Sequence, residues 1–85
     1  MSDPVTVAIG KELRRIRDGR EWSRPAVADR VPGKFTPQAL AHYENGIRAC
    51  SVARFVEVCV ALNVPACDVL ALALQRAAIQ TGAKG

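Results

Sequence analysis

The 85-residue sequence has few of the features that build a β-sheet protein. Aromatic residues make up only 5% of the chain, and β-branched residues never alternate with polar ones over the length of a strand. The apolar fraction is still 49%, which is enough for a small, mainly aliphatic core. We therefore predict an all-α protein with one domain over residues 1–85 and a core of about residues 5–80.

Long apolar runs and a disulfide framework are also missing. The densest apolar stretch, Val69–Leu74, is far too short to cross a bilayer, and the chain does not open with a basic segment followed by a continuous apolar run. The three cysteines are odd in number and have no C-x-x-C spacing. We expect a protein of the reducing cytoplasm, with neither export nor membrane insertion.

Histidine occurs once, as His42, and this restricts the possible chemistry. A hydrolytic triad or a histidine-based metal site would need His42 beside a suitably placed acid or nucleophile, and we identify none in the sequence. The cysteines do not complete a zinc set with His42, because their spacing fits no zinc motif and Cys59 falls on a core stripe. We predict no enzymatic activity, no metal site and no cofactor.

Basic residues outnumber acidic ones by twelve to eight, so the formal net charge is +4, and the pI is near 9.4. Most of them lie between Lys11 and Arg54. This favours a polyanionic partner, although many small solvated domains carry similar charge without binding one. In the first predicted helix the cations stand beside Glu12 and Asp18, so a solvated face with internal ion pairs and a phosphate-binding face are both open.

Apolar residues at helical spacing, bounded by capping and breaking residues, predict five short helices. Three of the helices begin after a hydroxyl residue that can cap an N-terminus: Ser23, Thr36 and Ser51. Trp22, directly before Ser23, has the position of a hydrophobic staple and is a predicted core anchor. The second helix ends at Pro32-Gly33, and the tight connection that follows makes the second and third helices a candidate helix-turn-helix.

The third helix, from Thr36 to Gly46, has one side that suits contact with base edges. Its apolar side is marked by Leu40 and Tyr43. The outward side chains carry little charge and are short or bear an amide or imidazole: Gln38, Ala39 and His42. Amides and small contacts specify bases in the major groove, whereas evenly spread charge does not. An ordinary amphipathic surface helix is the alternative.

Two charged residues at helix ends call for a partner. Arg24 lies in the first turn of the second helix, where the helix dipole disfavours a cation, so either a DNA phosphate or chance accounts for it. Glu44 precedes the Asn45-Gly46 turn, where we expect its carboxylate to pair with a helix end or with backbone rather than to act in catalysis.

Four segments in this order resemble the XRE family of lambda-repressor-like DNA-binding domains: Ile-x3-Leu-x2-Ile, Trp-Ser-x3-Val-Ala, Leu-x2-Tyr-Glu-Asn-Gly-x-Arg and Leu-Asn-Val-x4-Val-Leu. The resemblance covers roughly residues 9–71. A weaker similarity to BldD-type actinobacterial regulators rests on the slightly longer connection between helices 2 and 3. The resemblance implies a five-helix fold, a third helix that enters the major groove, and dimers that bind two half-sites about one helical turn apart.

By position, the resemblance also implies which side chains meet DNA. The base-contacting positions are Thr36, Gln38, Ala39 and His42. The phosphate-contacting positions are Arg24, Lys34, Asn45 and Arg48. Pro37 is a departure, because it replaces a polar residue that the family commonly uses for readout.

The fifth helix is apolar on more than one side. At the family's positions Val69 and Leu70 close the core, and helices that are apolar all round are buried all round. We therefore predict a homodimer through the apolar residues that remain: Leu72, Leu74, Ala77 and Ala78. The alternative is a frayed helix on a monomer. The sequence as a whole predicts a dimeric, sequence-specific regulator that binds double-stranded DNA, with a protein-interaction module of the same fold, an antitoxin or an adaptor, as the competing interpretation.

Overall fold

Five α-helices follow one another in a computed structural model, which describes residues 3–81 and the side chains of residues 3–77. The helices are α1 (Pro4–Gly19), α2 (Arg24–Arg30), α3 (Pro37–Glu44), α4 (Val52–Ala61) and α5 (Ala66–Thr81). No strand occurs among the described residues, so the all-α prediction is confirmed. No single helix in this range is long and apolar enough to span a bilayer, and the one adjoining pair that would pass together, α4 with α5, is bent by 113°.

Side-chain caps fix where four of these helices begin. The Ser23, Thr36 and Ser51 hydroxyls each accept a hydrogen bond from a backbone N–H three residues later, at 3.2, 3.0 and 3.1 Å, so the three predicted caps are confirmed. The fourth cap, Asp3, was not predicted and accepts from the Thr6 N–H at 2.7 Å. Hydrogen bonds from Thr6 lower the pKa of this carboxyl.

The core lies where α1 packs against both α3 and α5, while α4 covers α2 and the start of α5. Its fully buried side chains are Leu13, Val27, Leu40, Val58, Cys59, Leu62 and Val69. Cys59 is thus the small core residue that its position predicts. Trp22 packs against this cluster and is half-buried; the centre of its ring lies 4.3 Å from the Arg30 guanidinium carbon and 5.8 Å from that of Arg20.

Two glycines bring α1 against the end of α3. A side chain at Gly10 would overlap the carbonyl oxygens of Tyr43 and Glu44, so the absence of a Cβ allows the two backbones to touch. Gly46 ends the third helix in the left-handed region, at φ +71°, which L side chains rarely adopt. The C-terminal end of α3 is therefore held directly against α1.

The ion pairs expected within the charged side of α1 are present, since Arg15 pairs with Glu12 and both Arg14 and Arg17 pair with Asp18, but an exposed position was wrong for two of these residues. Glu12 and Arg17 are buried, so they belong neither to a solvated face nor to a phosphate-binding one. Burial alone would raise the pKa of Glu12, but hydrogen bonds and charge from Arg15 and Arg76 outweigh it and place this pKa below its ordinary value of 4.5. The Arg76 contact ties α5 to α1.

Candidate nucleic-acid interface

The outward side of α3 brings together the residues predicted to contact bases. Thr36 and Gln38 are exposed, and Ala39 and His42 are half-buried, while Leu40 on the opposite side is fully buried. Gln38 and His42 are one helical turn apart, so they point from the same side of the helix. The Thr36 hydroxyl accepts from the Ala39 N–H and keeps its own proton available for donation. The described surface of α3 thus offers an amide, an imidazole and a hydroxyl.

The C-terminal end of α3 is anchored by one buried carboxylate, that of Glu44, whose side chain is 0% exposed. Arg17 of α1 donates to it twice, from Nε at 2.6 Å and from Nη2 at 3.1 Å. Arg24 of α2 donates from Nε at 3.0 Å. A further Arg17 nitrogen, Nη1, donates to the Trp22 carbonyl at 2.9 Å. We call Arg17, Arg24 and Glu44 the ion cluster; it joins three helices at one point.

The ion cluster overturns one prediction and explains an anomaly. Glu44 was expected to pair with a helix end or with backbone, and that expectation was wrong, because both carboxylate oxygens accept from arginine side chains. Its carboxylate also supplies the charge that favours a cation at the start of α2, so neither DNA nor chance is needed to place Arg24 there. Hydrogen bonding to Glu44 raises the pKa of Arg17, against the opposing effect of burial.

The predicted phosphate contacts lie at both ends of α3. Lys34 is exposed in the connection that precedes the helix, and Arg24 keeps 33% of its side chain exposed beyond its contact with Glu44. Asn45 caps the helix C-terminus, and Arg48 follows in the next loop with its backbone N–H donating to the His42 carbonyl at 3.3 Å. Both side chains are exposed. Because the single carboxylate of α3 is buried, the outward side of this helix carries no acidic group.

The predicted dimer residues do not share one surface. Leu72 and Leu74 are exposed, whereas Ala77 is buried within the protomer, where it can offer little to a second copy. The side chain of Ala78 lies outside the described residues. Leu70 was expected to close the core beside Val69, and this was wrong, because Leu70 is exposed while Val69 is fully buried.

Sequence reasoning missed an exposed row of valines on α4. Val52, Val56 and Val60 follow one another at a spacing of four residues, and all three are exposed. The signal was readable, because a four-residue spacing places side chains on one side of a helix. No charged residue stands within this row, so α4 presents an apolar strip to solvent.

Catalytic or metal chemistry finds no assembled site in the described residues. No group of three histidine, cysteine or acidic side chains there could hold a metal ion. Burial raises the pKa of the Cys59 thiol to about 11 and also raises that of Cys50, so both thiols are protonated at neutral pH. Cys67 is exposed at the start of α5.

Comparisons with known proteins agree with this geometry. Residues 8–72 match the family model described as a helix-turn-helix domain, which is more than half of the chain. No curated protein matches this chain. Two solved structures are similar, both of the clp gene regulator ClgR from Corynebacterium glutamicum and both 27% identical. One has a TM-score of 0.81 over 92% of this chain and 81% of that chain; the other has a TM-score of 0.76 over 84% and 90%.

These findings are consistent with the XRE-type resemblance stated from the sequence. The matched fold is that of a DNA-binding regulator and not of an enzyme. The match spans all of α2, the connection and α3, so it includes the whole candidate interface between Arg24 and Arg48. The chain belongs to the helix-turn-helix domain family.

Proposed function

We propose that this protein is a cytoplasmic transcriptional regulator that binds double-stranded DNA sequence-specifically, with α3 in the major groove. The observation that carries the proposal is the face of α3, where neutral polar side chains stand between cations and the one carboxylate is buried. A major groove about 12 Å wide admits one α-helix. Similarity to ClgR, whose name describes a gene regulator, supports the same function.

The α3 side chains would divide recognition among themselves by their chemistry. Gln38 can pair bidentately with adenine through its amide, and His42, one turn later, can reach a purine acceptor or a phosphate. Ala39 offers a small apolar contact of the kind that suits a thymine methyl group. Thr36 can donate its hydroxyl proton. Pro37 has no hydrogen-bonding side chain, so we expect Gln38 to carry most of the direct readout.

Cations at the ends of α3 would hold the DNA backbone. Lys34 precedes the helix, whereas Arg24, paired with Glu44, and Arg48 lie at its C-terminal end, so phosphates on either side of the groove are within the reach of flexible basic side chains. Asn45 can donate its amide to a phosphate oxygen. Such contacts position the protein and make its affinity fall with salt, but they carry no sequence information.

We also infer a homodimer in which α5 contributes its exposed leucines. Leu72 and Leu74 are large apolar side chains that the protomer leaves in solvent. Because they are two residues apart, they point to different sides of α5, and a second copy would have to pack across both sides to cover them. Dimers of this fold place two recognition helices about 34 Å apart, which suits two half-sites one turn apart on one DNA face. Ala77 would support this interface only from within the protomer.

The direct experiment compares specific with non-specific binding. The parent protein selects its preferred duplex from a randomised library, and dissociation constants are then measured for that duplex and for random duplex at several salt concentrations. We expect Gln38→Ala to cost roughly 1 to 3 kcal/mol on the selected duplex and little on random duplex. Gln75→Ala, the same change at an exposed position of α5, is the control and should alter neither constant. If Gln38→Ala binds each duplex with the same affinity as the parent, the proposal for Gln38 is contradicted.

Arg48→Ala tests the backbone contacts in the same assay. We expect it to weaken binding of the selected and the random duplex alike, and to reduce the slope of log affinity against log salt by about one per bound subunit. A loss confined to the selected duplex would instead make Arg48 a base-reading residue.

The valine row on α4 supports a second candidate, a protein-interaction module that uses the same fold. Val52, Val56 and Val60 would then meet a partner protein, as in an antitoxin or an adaptor. The binding measurements at several salt concentrations separate the two candidates. Binding of random duplex at micromolar or lower protein concentration, weakening steeply with salt, supports the regulator. Absence of duplex binding at low salt supports the interaction module.

A further inference from the structure

The connection between α2 and α3 has almost no backbone hydrogen bonds. Val31 leaves α2 in an extended conformation and is buried, whereas Pro32, Gly33 and Lys34 are exposed. Gly33 has a φ of +81°, so the chain turns there through the left-handed region. Within residues 3–81, the backbone groups of residues 32–35 make one hydrogen bond, and its donor is a side chain of α4. The start of α3 is therefore held by the packing of Val31 and Phe35 against the core and by one hydrogen bond from outside the helix-turn-helix.

That donor is Arg54, in the first turn of α4. Its Nη1 donates to the Pro32 carbonyl at 3.2 Å and to the Glu57 carboxylate at 2.8 Å. The guanidinium carbon lies 5.3 Å from the centre of the Phe35 ring, within the range of a cation–π contact. Arg54 thus contacts the connection near both of its ends, and its charge is balanced by Glu57.

Phe35 links Arg54 to α3, because it contacts both Arg54 and Tyr43. Its ring stacks on that of Tyr43, with centroids 5.8 Å apart and planes 26° apart, and the next residue, Thr36, caps the helix. A shift of Phe35 would move the capped N-terminus of α3, where Thr36 and Gln38 stand. Recognition side chains need to be held within about 0.5 Å of their productive geometry, so a small shift is enough to change readout.

We propose that Arg54 is a specificity-determining positioning residue, which sets the N-terminus of α3 through Pro32 and Phe35 without touching DNA. The inference rests on the proposed function and adds to it a residue outside the helix-turn-helix. A direct phosphate contact is disfavoured by the geometry, because Nη1 serves two acceptors and Glu57, a carboxylate that Arg54 does not share with another arginine, balances its charge.

The chain contains a matched control in Arg20. Its Nη2 donates to the Asn63 carbonyl at 3.2 Å and its guanidinium carbon lies 5.8 Å from the Trp22 ring, so it too combines a backbone carbonyl with an aromatic ring. Arg20, however, joins the end of α1 to the connection between α4 and α5. Arg54→Gln and Arg20→Gln therefore both remove a hydrogen bond to a backbone carbonyl and a cation–π contact, at a site that supports α3 and at one that does not; Arg54→Gln also removes the ion pair with Glu57.

The test uses the duplex selected by the parent protein and a random duplex, at a temperature where circular dichroism shows each variant fully folded. We expect Arg54→Gln to reduce the ratio of the two affinities roughly tenfold, a loss comparable to that of one base contact, with unchanged affinity for random duplex and an unchanged salt slope. Arg20→Gln should leave the ratio unchanged. Should Arg54→Gln not fold, Phe35→Leu tests the same path, with the same expected loss.

Two results would overturn the inference while leaving the proposed function intact. The first is an unchanged affinity ratio in a folded Arg54→Gln or Phe35→Leu protein. The second is equal weakening on both duplexes with a salt slope lower by about one, which would make Arg54 a phosphate contact. The double variant Arg54→Gln/Phe35→Leu tests whether the two residues act through one path. A reduction of the affinity ratio no greater than that of the larger single variant supports one path, whereas additive reductions contradict it. If the parent binds no duplex, the proposed function itself fails, and the inference with it.

Discussion

Replacing Glu44 by leucine tests the ion cluster that joins α3 to α1 and α2. The substitution introduces an apolar side chain of similar size and removes both acceptor oxygens. Arg17, whose side chain is only 10% exposed, would then keep its hydrogen bond to the Trp22 carbonyl and its 3.4 Å contact with Asp18. Arg24, with 33% exposure, could turn toward water. The main cost therefore falls on Arg17, as a buried charge that has lost its carboxylate.

The magnitude follows from this difference in burial. Removing one partner of a buried ion pair costs about 3 to 5 kcal/mol, because the remaining charge is left without compensation. The share of Arg24 is smaller, since solvent screens an exposed pair. For a domain of this size each kcal/mol lowers the melting temperature by about 4 to 8 °C, so we expect Glu44→Leu to melt at least about 12 °C below the parent.

Thermal and urea denaturation, followed by far-ultraviolet circular dichroism, measure the effect. Asp18→Leu is the matched control, because it also removes a carboxylate paired with arginine, but one that is exposed, and it should cost less than about 1 kcal/mol. The double variant Arg17→Met/Glu44→Leu leaves no unpaired charge in the core and should recover much of the loss. A Glu44→Leu protein that melts within about 4 °C of the parent would refute the reasoning.

Three further predictions concern stability and assembly. Trp22→Ala should cost about 3 kcal/mol in urea denaturation, near the lower end for aromatic truncations because the ring is half-buried, and an unchanged midpoint would contradict its role as core anchor. The pKa of Glu12 is lowered from its ordinary value of 4.5, so its charged form stabilises the fold above pH 4.5, and this contribution is lost as the pH falls through the pKa of the folded state. In denaturation measured as a function of pH, Glu12→Gln should show a smaller loss of stability in acid than the parent. In sedimentation, two 9.1 kDa chains should associate in the parent and separate in Leu72→Asp/Leu74→Asp, whereas a monomeric parent at micromolar concentration would reject the dimer.

Helix number and helix starts could be predicted because their causes are local. A capping hydroxyl and the backbone N–H that donates to it are three residues apart, so the caps Ser23, Thr36 and Ser51 can be read from the sequence. The side of α3 that faces solvent follows in the same way from the burial of Leu40. The position of Asp3 before Pro4 carries the same kind of information and could have been used to predict the start of α1.

The ion cluster could not be predicted in the same way, because its partners are distant in sequence. Glu44 lies 27 residues after Arg17 and 20 after Arg24, and nothing local pairs them. A partial signal existed: Arg17 stands four residues after Leu13, and Glu12 three after Ile9, so both lie at the edge of the apolar stripe of α1. Charged residues at such positions are either solvated or paired inside the fold, and the sequence alone does not choose between the two.

The surface of α5 was hard to predict for the opposite reason, an excess of apolar residues. On α5 every side has a leucine or an alanine, so periodicity cannot tell which of them face α1. The structure buries Ala73 and Ala77 and leaves Leu70, Leu72 and Leu74 exposed, so that small residues allow α1 to approach closely. Packing distance between helices, rather than hydrophobicity, decides which side is internal.

The ion cluster also bears on how the protein would hold DNA. Its two arginines and one carboxylate leave an excess of one positive charge, and Arg17 is too buried to present it. Within the cluster, the excess is therefore available to a phosphate at Arg24, whose Nε donates to Glu44 while 33% of its side chain stays exposed. A carboxylate that anchors α3 would thus also orient a cation beside the DNA. Loss of Glu44 should accordingly weaken binding of random duplex even under conditions in which the variant is fully folded, because Arg24 would have to be ordered at the expense of side-chain entropy.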